Sequence, residues 1–419
     1  MKNSFDKTNK FGFQSYTMLW ITMIFLNTLI SSCSFGSPKI VFDSINPKTK
    51  SITNSSVILG NAQTSEYLHL LTDKNIAIVS NQTSLINKTH LIDSLLSLGV
   101  KVKLVFAPEH GFRGVADNGE HINNEIDIKT GLKIVSLYGN NSKPSEEHLK
   151  NIDLVIYDIQ DVGVRFYTYL STLHYVMEAC AENGKKLLIL DRPNPNGHYI
   201  DGPVLKKEFS SFVGMHPVPV VYGMTVGEYA QMINGEKWLE NEIQCDITIV
   251  RCKNYSHSIF YSLPIAPSPN LKTDAAIALY PSLCFFEGTS ISMGRGTDRP
   301  FEIYGHPKFD STSFSFTPTP RIGSKTPPLM NQYCFGIDCV KENIFPMYSL
   351  DLRPLINAKK LLNNRDTYIN SPSFFNKLAG NALLKQQIEN DLSEEEIRAS
   401  WKNDLESFKI IRAKYLLYD

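Results

Sequence analysis

The sequence lacks an excess of charge of either sign, and this excludes one class of partner. Its 419 residues include 42 Lys and Arg and 42 Asp and Glu. Proteins that bind nucleic acid usually carry a clear basic excess, so we expect no nucleic-acid partner. Hydrophobic residues make up 42% of the chain and charged residues 20%. This balance indicates a folded globular protein, and the length suggests two or three domains.

Several well-known catalytic and binding motifs are also missing from the sequence. No Gly-x-Gly-x-x-Gly turn follows the first predicted strand, and no Gly-Lys-Ser/Thr phosphate loop occurs. A Gly-x-Ser-x-Gly nucleophile elbow and a Cys-x-x-Cys pair are absent as well. These absences argue against a nucleotide site, an elbow-type serine hydrolase and a zinc ribbon. We therefore predict no cofactor and no metal site.

The amino-terminal 33 residues have the pattern of a secretion signal. Three lysines among the first ten residues precede an apolar run at Met18–Ile30. This run is short for a membrane span but suits the core of a signal peptide. It ends in Ile-Ser-Ser-Cys, which resembles a bacterial lipoprotein signal with Cys33 as the lipidated residue. The alternatives are an ordinary signal peptide or an uncleaved anchor. We expect a bacterial cell-envelope protein, anchored to a membrane through lipid and either facing the periplasm or in the outer membrane.

Cysteine is scarce in the rest of the chain, where six residues remain. Most are expected to be small buried apolar groups. Cys334 and Cys339 could pair with each other in an oxidising periplasm.

The pattern of apolar runs predicts a tether at residues 34–62, an α/β domain at 63–265 and a smaller α+β domain at 266–419. Continuous apolar runs predict buried strands at Ile76–Ser80, Lys103–Ala107, Leu154–Asp158 and Leu187–Asp191. Helical patterns lie between them, such as Thr168–Asn183. This alternation favours a doubly wound, Rossmann-like parallel sheet. A proline-rich segment at Leu263–Asn270 favours the domain boundary.

Polar side chains follow each of the four predicted strands. In parallel α/β sheets the carboxyl ends of the strands meet at one edge, where ligands bind. We therefore expect one polar cleft that contains Asn81, Glu109, His110, Arg113, Asp158, Gln160, Asp161, Arg165, Tyr167, Asp191 and Asn194. Carboxylates, amides, arginines and aromatic rings together suit a sugar ligand.

Glu109 is the strongest catalytic candidate in this set. It lies two residues beyond a buried strand, where burial could adapt a carboxyl group to general acid catalysis. The alternative is a structural carboxylate paired with Arg113 or Arg165. Asp161 is the second candidate, and its alternative is a helix cap. His110 could act in acid–base chemistry, bind a ligand or orient Glu109, and a purely structural histidine is an equal alternative.

The second half of the chain adds Glu287 and Arg295. Glycines on both sides of Arg295 allow the backbone to turn sharply and present the guanidinium group, whose planar fork matches a carboxylate. This pattern predicts a substrate with an acid group. The alternative is a turn with a surface arginine.

The longest motifs together resemble the NamZ-like exo-β-N-acetylmuramidases, over residues 65–419. They are APEHGFRG, DIQDVGVRFYTY, DRPNPNG, DGP, PSPNL and YPS…FEGTSISMGRGTDRPFE. The resemblance implies a Rossmann-like domain, a smaller C-terminal domain and an active site between them. It implies release of N-acetylmuramic acid from the non-reducing ends of peptidoglycan glycans, with Glu109 and Asp161 as catalytic carboxylates. Arg165, Tyr167 and Arg295 would line the sugar site.

The catalytic mechanism and two rival functions stay open at this point. Two catalytic carboxyl groups ~5 Å apart would imply retention of configuration, and a separation of ~6.5–9.5 Å would imply inversion. The 2-acetamido group of the substrate offers a third, substrate-assisted route. One rival is a non-catalytic lipoprotein that binds muropeptides in the same cleft. The other is a metal-dependent hydrolase using Glu109, His110, Asp158 and His121. Against it, the sequence has no His-x-x-x-His or similar clustered spacing of metal ligands.

Overall fold

The computed structural model describes residues 57–109, 111–112, 125–343 and 345–419. The strands in these ranges are β1 (Asn75–Ser80), β2 (Leu85–Ile86), β3 (Thr89–His90), β4 (Lys101–Ala107), β5 (Glu125–Ile126), β6 (Lys133–Ser136), β7 (Leu154–Asp158), β8 (Lys186–Leu190), β9 (Ile247–Val250), β10 (Ile303–His306), β11 (Phe314–Phe316) and β12 (Cys334–Asp338).

One sheet dominates the first half of the described chain. Its strands lie in the order β5-β6-β4-β1-β7-β8-β9. All neighbours from β6 to β9 pair in parallel, and β5 pairs antiparallel with β6 at one edge. The predicted α/β class with a parallel sheet is confirmed. Each predicted strand is present within two residues of its expected start, whereas the short strand β6 was not predicted.

The helices of the described residues surround this sheet and build most of the second half. They are α1 (Thr64–Leu71), α2 (Leu91–Ser97), α3 (Glu146–Leu149), α4 (Tyr169–Glu182), α5 (Val226–Gly235), α6 (Asp274–Leu283), α7 (Cys339–Glu342), α8 (Arg353–Leu362), α9 (Pro372–Ala379), α10 (Leu383–Glu389), α11 (Glu394–Ala399) and α12 (Lys402–Ala413). Capping boxes begin α5 at Thr225 and α11 at Ser393, as their Ser/Thr-x-x-Glu spacing predicts.

The two faces of the sheet bury different sets of side chains. Successive residues of a strand point to opposite faces, so Ile76 and Ile78 of β1 pack on one side and Ala77 and Val79 on the other. The first side is covered by α1 and α2. The second is covered by α4 and α5, and its core continues without interruption into the second half of the chain.

The second half contains a smaller antiparallel sheet in the order β10-β12-β11 together with α6 to α12. Phe285, Leu355 and Phe375 of this half belong to the same apolar core as Val155 and Leu187 of the parallel sheet. The described residues accordingly belong to one compact unit. The boundary at residue 265 stays a prediction.

The disulfide that Cys334 and Cys339 could have formed is not present. Cys334 begins β12, and Cys339 is the first residue after that strand ends. Five extended residues span about 16 Å, far beyond the reach of a disulfide. Both cysteines are free and buried, as are Cys180, Cys245, Cys252 and Cys284.

A membrane span needs a long apolar helix, and none of the helices in the described ranges meets that requirement.

Candidate active site

The main pocket lies where the loops after β4 and β7 meet the second half of the chain. Its volume is about 180 Å³. The lining consists mainly of aromatic rings, with two carboxyl groups and one guanidinium group among the described residues. The lining residues are Glu109, Tyr138, Phe166, Tyr167, Thr168, Tyr169, Phe212, Val213, Ser268, Leu271, Tyr280, Cys284, Glu287, Arg295, Phe301, Phe374 and Leu378.

Glu109 is held against the start of α4. Its side chain is 6% exposed, and the Thr168 hydroxyl donates to Oε2 over 2.6 Å. The Tyr169 hydroxyl lies 3.4 Å from the Glu109 backbone carbonyl. A carboxyl group at a pocket wall, with one oxygen positioned by a donor, is suited to proton transfer to a bound ligand.

Tyr138 is a second neighbour of Glu109 in the main pocket. Its hydroxyl lies within hydrogen-bonding reach of the carboxyl group, and its ring packs edge-on against Phe212 at 5.9 Å. Burial raises the pKa of Tyr138, and the nearby Glu109 carboxylate raises it further. Tyr138 therefore keeps its proton at neutral pH and can act as a donor.

A row of aromatic rings connects the Glu109 side of the pocket to the opposite wall. Tyr169 contacts Tyr167 at 4.8 Å between ring centroids, and Tyr167 contacts Tyr280 at 6.0 Å. Tyr280 then contacts Phe301 at 4.9 Å, and Phe301 lies 5.0 Å below the Arg295 guanidinium. Flat apolar faces of this kind suit the C–H surface of a sugar ring.

Glu287 and Arg295 form an ion pair on that opposite wall. The Arg295 Nε and Nη2 atoms both donate to Glu287 Oε1, at 3.1 and 2.7 Å. Burial opposes the positive charge, but the neighbouring Glu287 outweighs it, so the pKa of Arg295 is raised. Arg295 Nη1 and Glu287 Oε2 lie outside these two hydrogen bonds and can serve a ligand as donor and acceptor.

The loops that follow β1, β4, β7 and β8 do meet at one edge, but many of their polar groups bond to each other. Asp158 Oδ1 accepts from Arg192 Nε at 2.7 Å, and Oδ2 accepts from Asn61 at 3.1 Å. Asn81 donates to the Tyr169 hydroxyl at 3.0 Å. Asn81 therefore supports Tyr169 of the lining, and neither Asp158 nor Asn81 is among the described lining residues.

Asp161 is buried and is not among the described lining residues of the main pocket. Oδ2 accepts from the Gly163 backbone N–H at 2.7 Å and from the Tyr222 hydroxyl. Burial raises the pKa of Asp161 to about 6, against the opposing effect of these donors. This position differs from the predicted one, in which Asp161 faces the substrate.

Gln160, Asp191 and Asn194 are likewise buried in internal hydrogen bonds. Gln160 donates to the Pro193 carbonyl at 2.8 Å. Asn194 donates to the Met224 carbonyl at 2.8 Å and packs over Gly163, whose φ of +76° and missing side chain make room for it. Asp191 accepts from the Thr225 and Tyr418 hydroxyls, and burial raises its pKa to about 6.

Arg165 connects three backbone segments instead of facing the pocket. Nη1 donates to the carbonyls of Pro203 and Val218 at 2.7 and 2.8 Å, and Nη2 donates to that of Leu378 at 2.7 Å. Burial lowers the pKa of Arg165. Its geometry indicates a structural crosslink between the two halves of the chain, which differs from the predicted contact with the sugar.

Of the predicted site residues, Glu109, Tyr167, Glu287 and Arg295 line the main pocket. His110, Arg113 and the lipidation residue Cys33 lie outside the described residues, as does His121. The prediction missed Thr168 and Tyr138. Thr168 stands inside a quoted motif, next to the predicted Tyr167, whereas Tyr138 follows β6, the strand that was not predicted.

Comparisons with known proteins agree with this architecture. The family model "Exo-beta-N-acetylmuramidase NamZ, N-terminal" matches residues 76–275, and the corresponding C-terminal model matches residues 278–418. The chain belongs to the NamZ family. A relative from Bacillus subtilis (strain 168), named peptidoglycan beta-N-acetylmuramidase NamZ, is 38% identical over 375 residues. These residues cover 84% of the chain and 89% of that relative.

Two crystal structures of DUF1343 family proteins from Bacteroides fragilis NCTC 9343 are also similar. One is 47% identical with a TM-score of 0.79, and the other is 26% identical with a TM-score of 0.73. Each match covers 87% of this chain and 99% of the solved one. The two NamZ models divide the main pocket between them, since Glu109 lies in the first matched range and Glu287 and Arg295 lie in the second.

Proposed function

We propose that this protein is an exo-acting glycoside hydrolase that releases N-acetylmuramic acid from the non-reducing ends of peptidoglycan fragments. The observation that carries the proposal is the placement of the Glu109 carboxyl group beside Thr168 at the edge of an aromatic pocket. Membership of the NamZ family supports the same reaction class and the same polymer.

Glu109 acts as the general acid in this proposal. Cleavage of a glycosidic bond needs a proton on the leaving-group oxygen while positive charge develops at the sugar carbon. The Thr168 hydroxyl, 2.6 Å from Oε2, limits the rotation of the carboxyl group. A positioned acid of this kind contributes roughly 10²–10⁴-fold to the rate.

The rest of the main pocket binds the terminal sugar. Tyr167 and Tyr280 supply flat apolar faces, and the Glu287–Arg295 pair supplies an acceptor and a donor for hydroxyl or amide groups. As Glu109 gives up its proton, the described lining reaches two carboxylates against one guanidinium, an excess of one negative charge. Such an excess favours the oxocarbenium-like transition state over the neutral ground state.

The fold fits a Rossmann-like arrangement. Numbered along the chain, the parallel strands of the described residues lie in the order third, second, first, fourth, fifth, sixth. Doubly wound sheets of this order bind ligands at the carboxyl ends of their strands, where the order reverses. Here the reversal lies between β1 and β7. The loop after β7 supplies Tyr167, and Glu109 follows β4, the neighbour of β1 on its other side.

The test replaces Glu109 with Gln and compares two substrates. A disaccharide with N-acetylmuramic acid at its non-reducing end has a poor leaving group, whereas a nitrophenyl β-N-acetylmuramide has a good one that needs little protonation. We expect at least ~10²-fold lower turnover of the disaccharide and a much smaller loss on the nitrophenyl glycoside.

A Glu182→Gln variant is the control for the Glu109 experiment, because Glu182, the last residue of α4, pairs with Lys143 and lies outside the main pocket. Equal losses on both substrates would contradict a general-acid role for Glu109. Near-normal disaccharide turnover by a folded Glu109→Gln protein would overturn the proposal.

We also propose that Cys33 carries lipid and anchors the protein in the bacterial cell envelope. The support is the signal-like apolar run that ends in Ile-Ser-Ser-Cys. Metabolic labelling with an alkyne fatty acid should mark the full-length protein and should not mark a Cys33→Ser variant. Equal labelling of both would overturn the proposal.

A further inference from the structure

A row of three aromatic rings begins beside Glu109 and leaves the main pocket. Tyr138, whose hydroxyl lies within hydrogen-bonding reach of the Glu109 carboxyl group, packs edge-on against Phe212, with 5.9 Å between the ring centroids. Phe212 in turn stacks with Tyr175 at 6.4 Å, with 14° between the ring planes. We call Tyr138, Phe212 and Tyr175 the aromatic strip. Its first two rings line the main pocket, whereas Tyr175 lies outside the described lining.

The aromatic strip differs in burial from the row of rings on the other side of Glu109. The rings from Tyr169 to Tyr280 are between 1% and 7% exposed and belong to the larger apolar core. The three rings of the strip are each half-buried and belong to neither apolar core of the described residues. Core packing therefore does not account for them, and apolar surface beside a pocket is typical of a ligand contact.

Local hydrogen bonds hold the Phe212 ring in place. Ser211 and Gly214 exchange two backbone hydrogen bonds of 2.8 and 2.9 Å, so Phe212 lies at the tip of a tight turn. Ser171 of α4 donates its hydroxyl to the Phe212 carbonyl at 2.7 Å. Tyr175 lies one helical turn after Ser171 on the same helix, so α4 fixes both ends of the contact between Phe212 and Tyr175. A surface positioned in this way loses little conformational freedom when it binds a ligand.

The catalytic acid lies at the mouth of the main pocket, on the side of the aromatic strip. The mouth is marked by the half-buried members of the described lining, and two of them, Tyr138 and Thr168, lie within hydrogen-bonding reach of the Glu109 carboxyl group. The half-buried lining residues are Tyr138, Thr168, Phe212, Val213, Glu287, Arg295 and Phe374.

The proposed reaction defines what must lie beside Glu109. An exo-acting enzyme takes the terminal sugar into its pocket, and the rest of the glycan leaves through the mouth. Glu109 protonates the oxygen that joins the terminal sugar to the next one, so the second sugar lies just outside the acid. In peptidoglycan the sugar after N-acetylmuramic acid is N-acetylglucosamine, a neutral pyranose with an apolar C–H face that matches an aromatic ring.

We propose that the aromatic strip binds the leaving-group sugar, the N-acetylglucosamine residue that follows the terminal N-acetylmuramic acid. The inference rests on the proposed function, because that function supplies the glycan. Phe212 is the main contact of the second sugar, and Tyr175 extends the contact outward. The buried rings Tyr167 and Tyr280 serve the terminal sugar. None of the strip residues was predicted from the sequence as a site residue.

The experiment compares two ligands of the full-length protein by calorimetry. One is free N-acetylmuramic acid. The other is its disaccharide with N-acetylglucosamine, joined through sulfur in place of the glycosidic oxygen so that it is not hydrolysed. The ratio of the two dissociation constants measures the gain from the second sugar. We expect a gain of about tenfold in the wild-type protein, the scale of one aromatic contact.

Substitutions in the aromatic strip should reduce this gain. Phe212→Ala should reduce it to about twofold, and Tyr175→Ala should reduce it in the same direction by a smaller factor. Phe212→Tyr keeps the ring and should keep the gain. Phe260→Ala is the matched control, because Phe260 is 38% exposed and lies outside the main pocket. An undiminished gain in both alanine variants of the strip, or no gain in the wild-type protein, would overturn the inference.

Hydrolysis of the oxygen-linked disaccharide, measured in parallel, separates this inference from the proposed function. A protein whose gain depends on Phe212 but which hydrolyses nothing supports the aromatic strip as a sugar site and contradicts the glycosidase. A protein that hydrolyses the disaccharide, with a gain that is independent of Phe212 and Tyr175, supports the glycosidase and overturns the role of the strip.

Discussion

The Thr168 hydroxyl donates a hydrogen bond to the Glu109 carboxyl group and does not cap the helix that it precedes. It occupies the position before α4, where Ser and Thr commonly accept a backbone N–H, yet its side chain makes no capping hydrogen bond. The hydroxyl instead lies 2.6 Å from Oε2 of Glu109. The α4 helix therefore begins without a side-chain cap, and the Thr168 hydroxyl positions the Glu109 carboxyl group at the pocket wall.

Thr168→Val should lower kcat on the disaccharide by about tenfold and change KM little. Valine keeps the shape of threonine and removes the hydroxyl, so the Glu109 carboxyl group loses the donor that orients it, and hydrogen bonds to charged groups are worth about 1.5–3 kcal/mol. Steady-state kinetics and thermal unfolding measure the two effects separately.

Thr168→Ser is the control for this prediction, because it restores the hydroxyl on a smaller side chain. It should recover most of the lost kcat. An equal loss in both variants would assign the effect to packing of the methyl group, and not to the hydrogen bond.

The sequence predicts the sheet well because its strands are continuous apolar runs, buried on both faces, such as Leu154–Asp158. It also predicts correctly that the loops after four strands meet at one edge. It does not predict which polar groups reach the pocket. Asp158 accepts a hydrogen bond from Arg192, and Gln160 donates one to the Pro193 carbonyl, more than thirty residues away in each case. Such long-range hydrogen bonds leave no periodic or local pattern.

Asp161→Asn should alter the pH dependence of stability. Burial raises the pKa of Asp161 to about 6 in the folded protein, above the ordinary value of 3.8. Between these two values the folded state holds a proton that the unfolded state has released. The Asp161 contribution to the free energy of unfolding is therefore greatest below about pH 4 and falls as the pH rises to about 6. The fall amounts to about 1.4 kcal/mol for each unit by which the two pKa values differ.

Urea unfolding at several pH values checks the Asp161 prediction. Asparagine keeps an oxygen that can accept from Gly163 and Tyr222, so the variant should lose part of the decline between pH 4 and 6. The remaining decline includes the contribution of Asp191, whose pKa burial also raises to about 6. If Asp161→Asn instead lowers turnover as much as Glu109→Gln, the catalytic role predicted from the sequence is supported.

Arg165→Met should destabilise the fold without a selective effect on sugar binding. The substitution leaves the carbonyls of Pro203, Val218 and Leu378 without their guanidinium donors. Buried acceptors left unpaired cost about 1–3 kcal/mol each, so the free energy of unfolding should fall by about 3 kcal/mol or more. Urea unfolding measures the loss.

Arg165→Lys should recover part of the stability lost in Arg165→Met, because an ammonium group supplies donors to some of the three carbonyls. Normal stability with weakened binding of N-acetylmuramic acid would contradict the structural role and support the predicted contact with the substrate.

Glu287 and Arg295 should act as one unit in substrate binding. Both Arg295 hydrogen bonds go to a single oxygen of Glu287, so removing either side chain frees the other from its position and leaves a buried charge unpaired. Glu287→Gln and Arg295→Met should each raise KM for the disaccharide by about tenfold. The KM of the double variant should not exceed the higher of the two single-variant values. Kinetics of the four proteins give the coupling energy. If the two increases in KM instead multiply in the double variant, to about 100-fold, the two side chains contact the sugar independently.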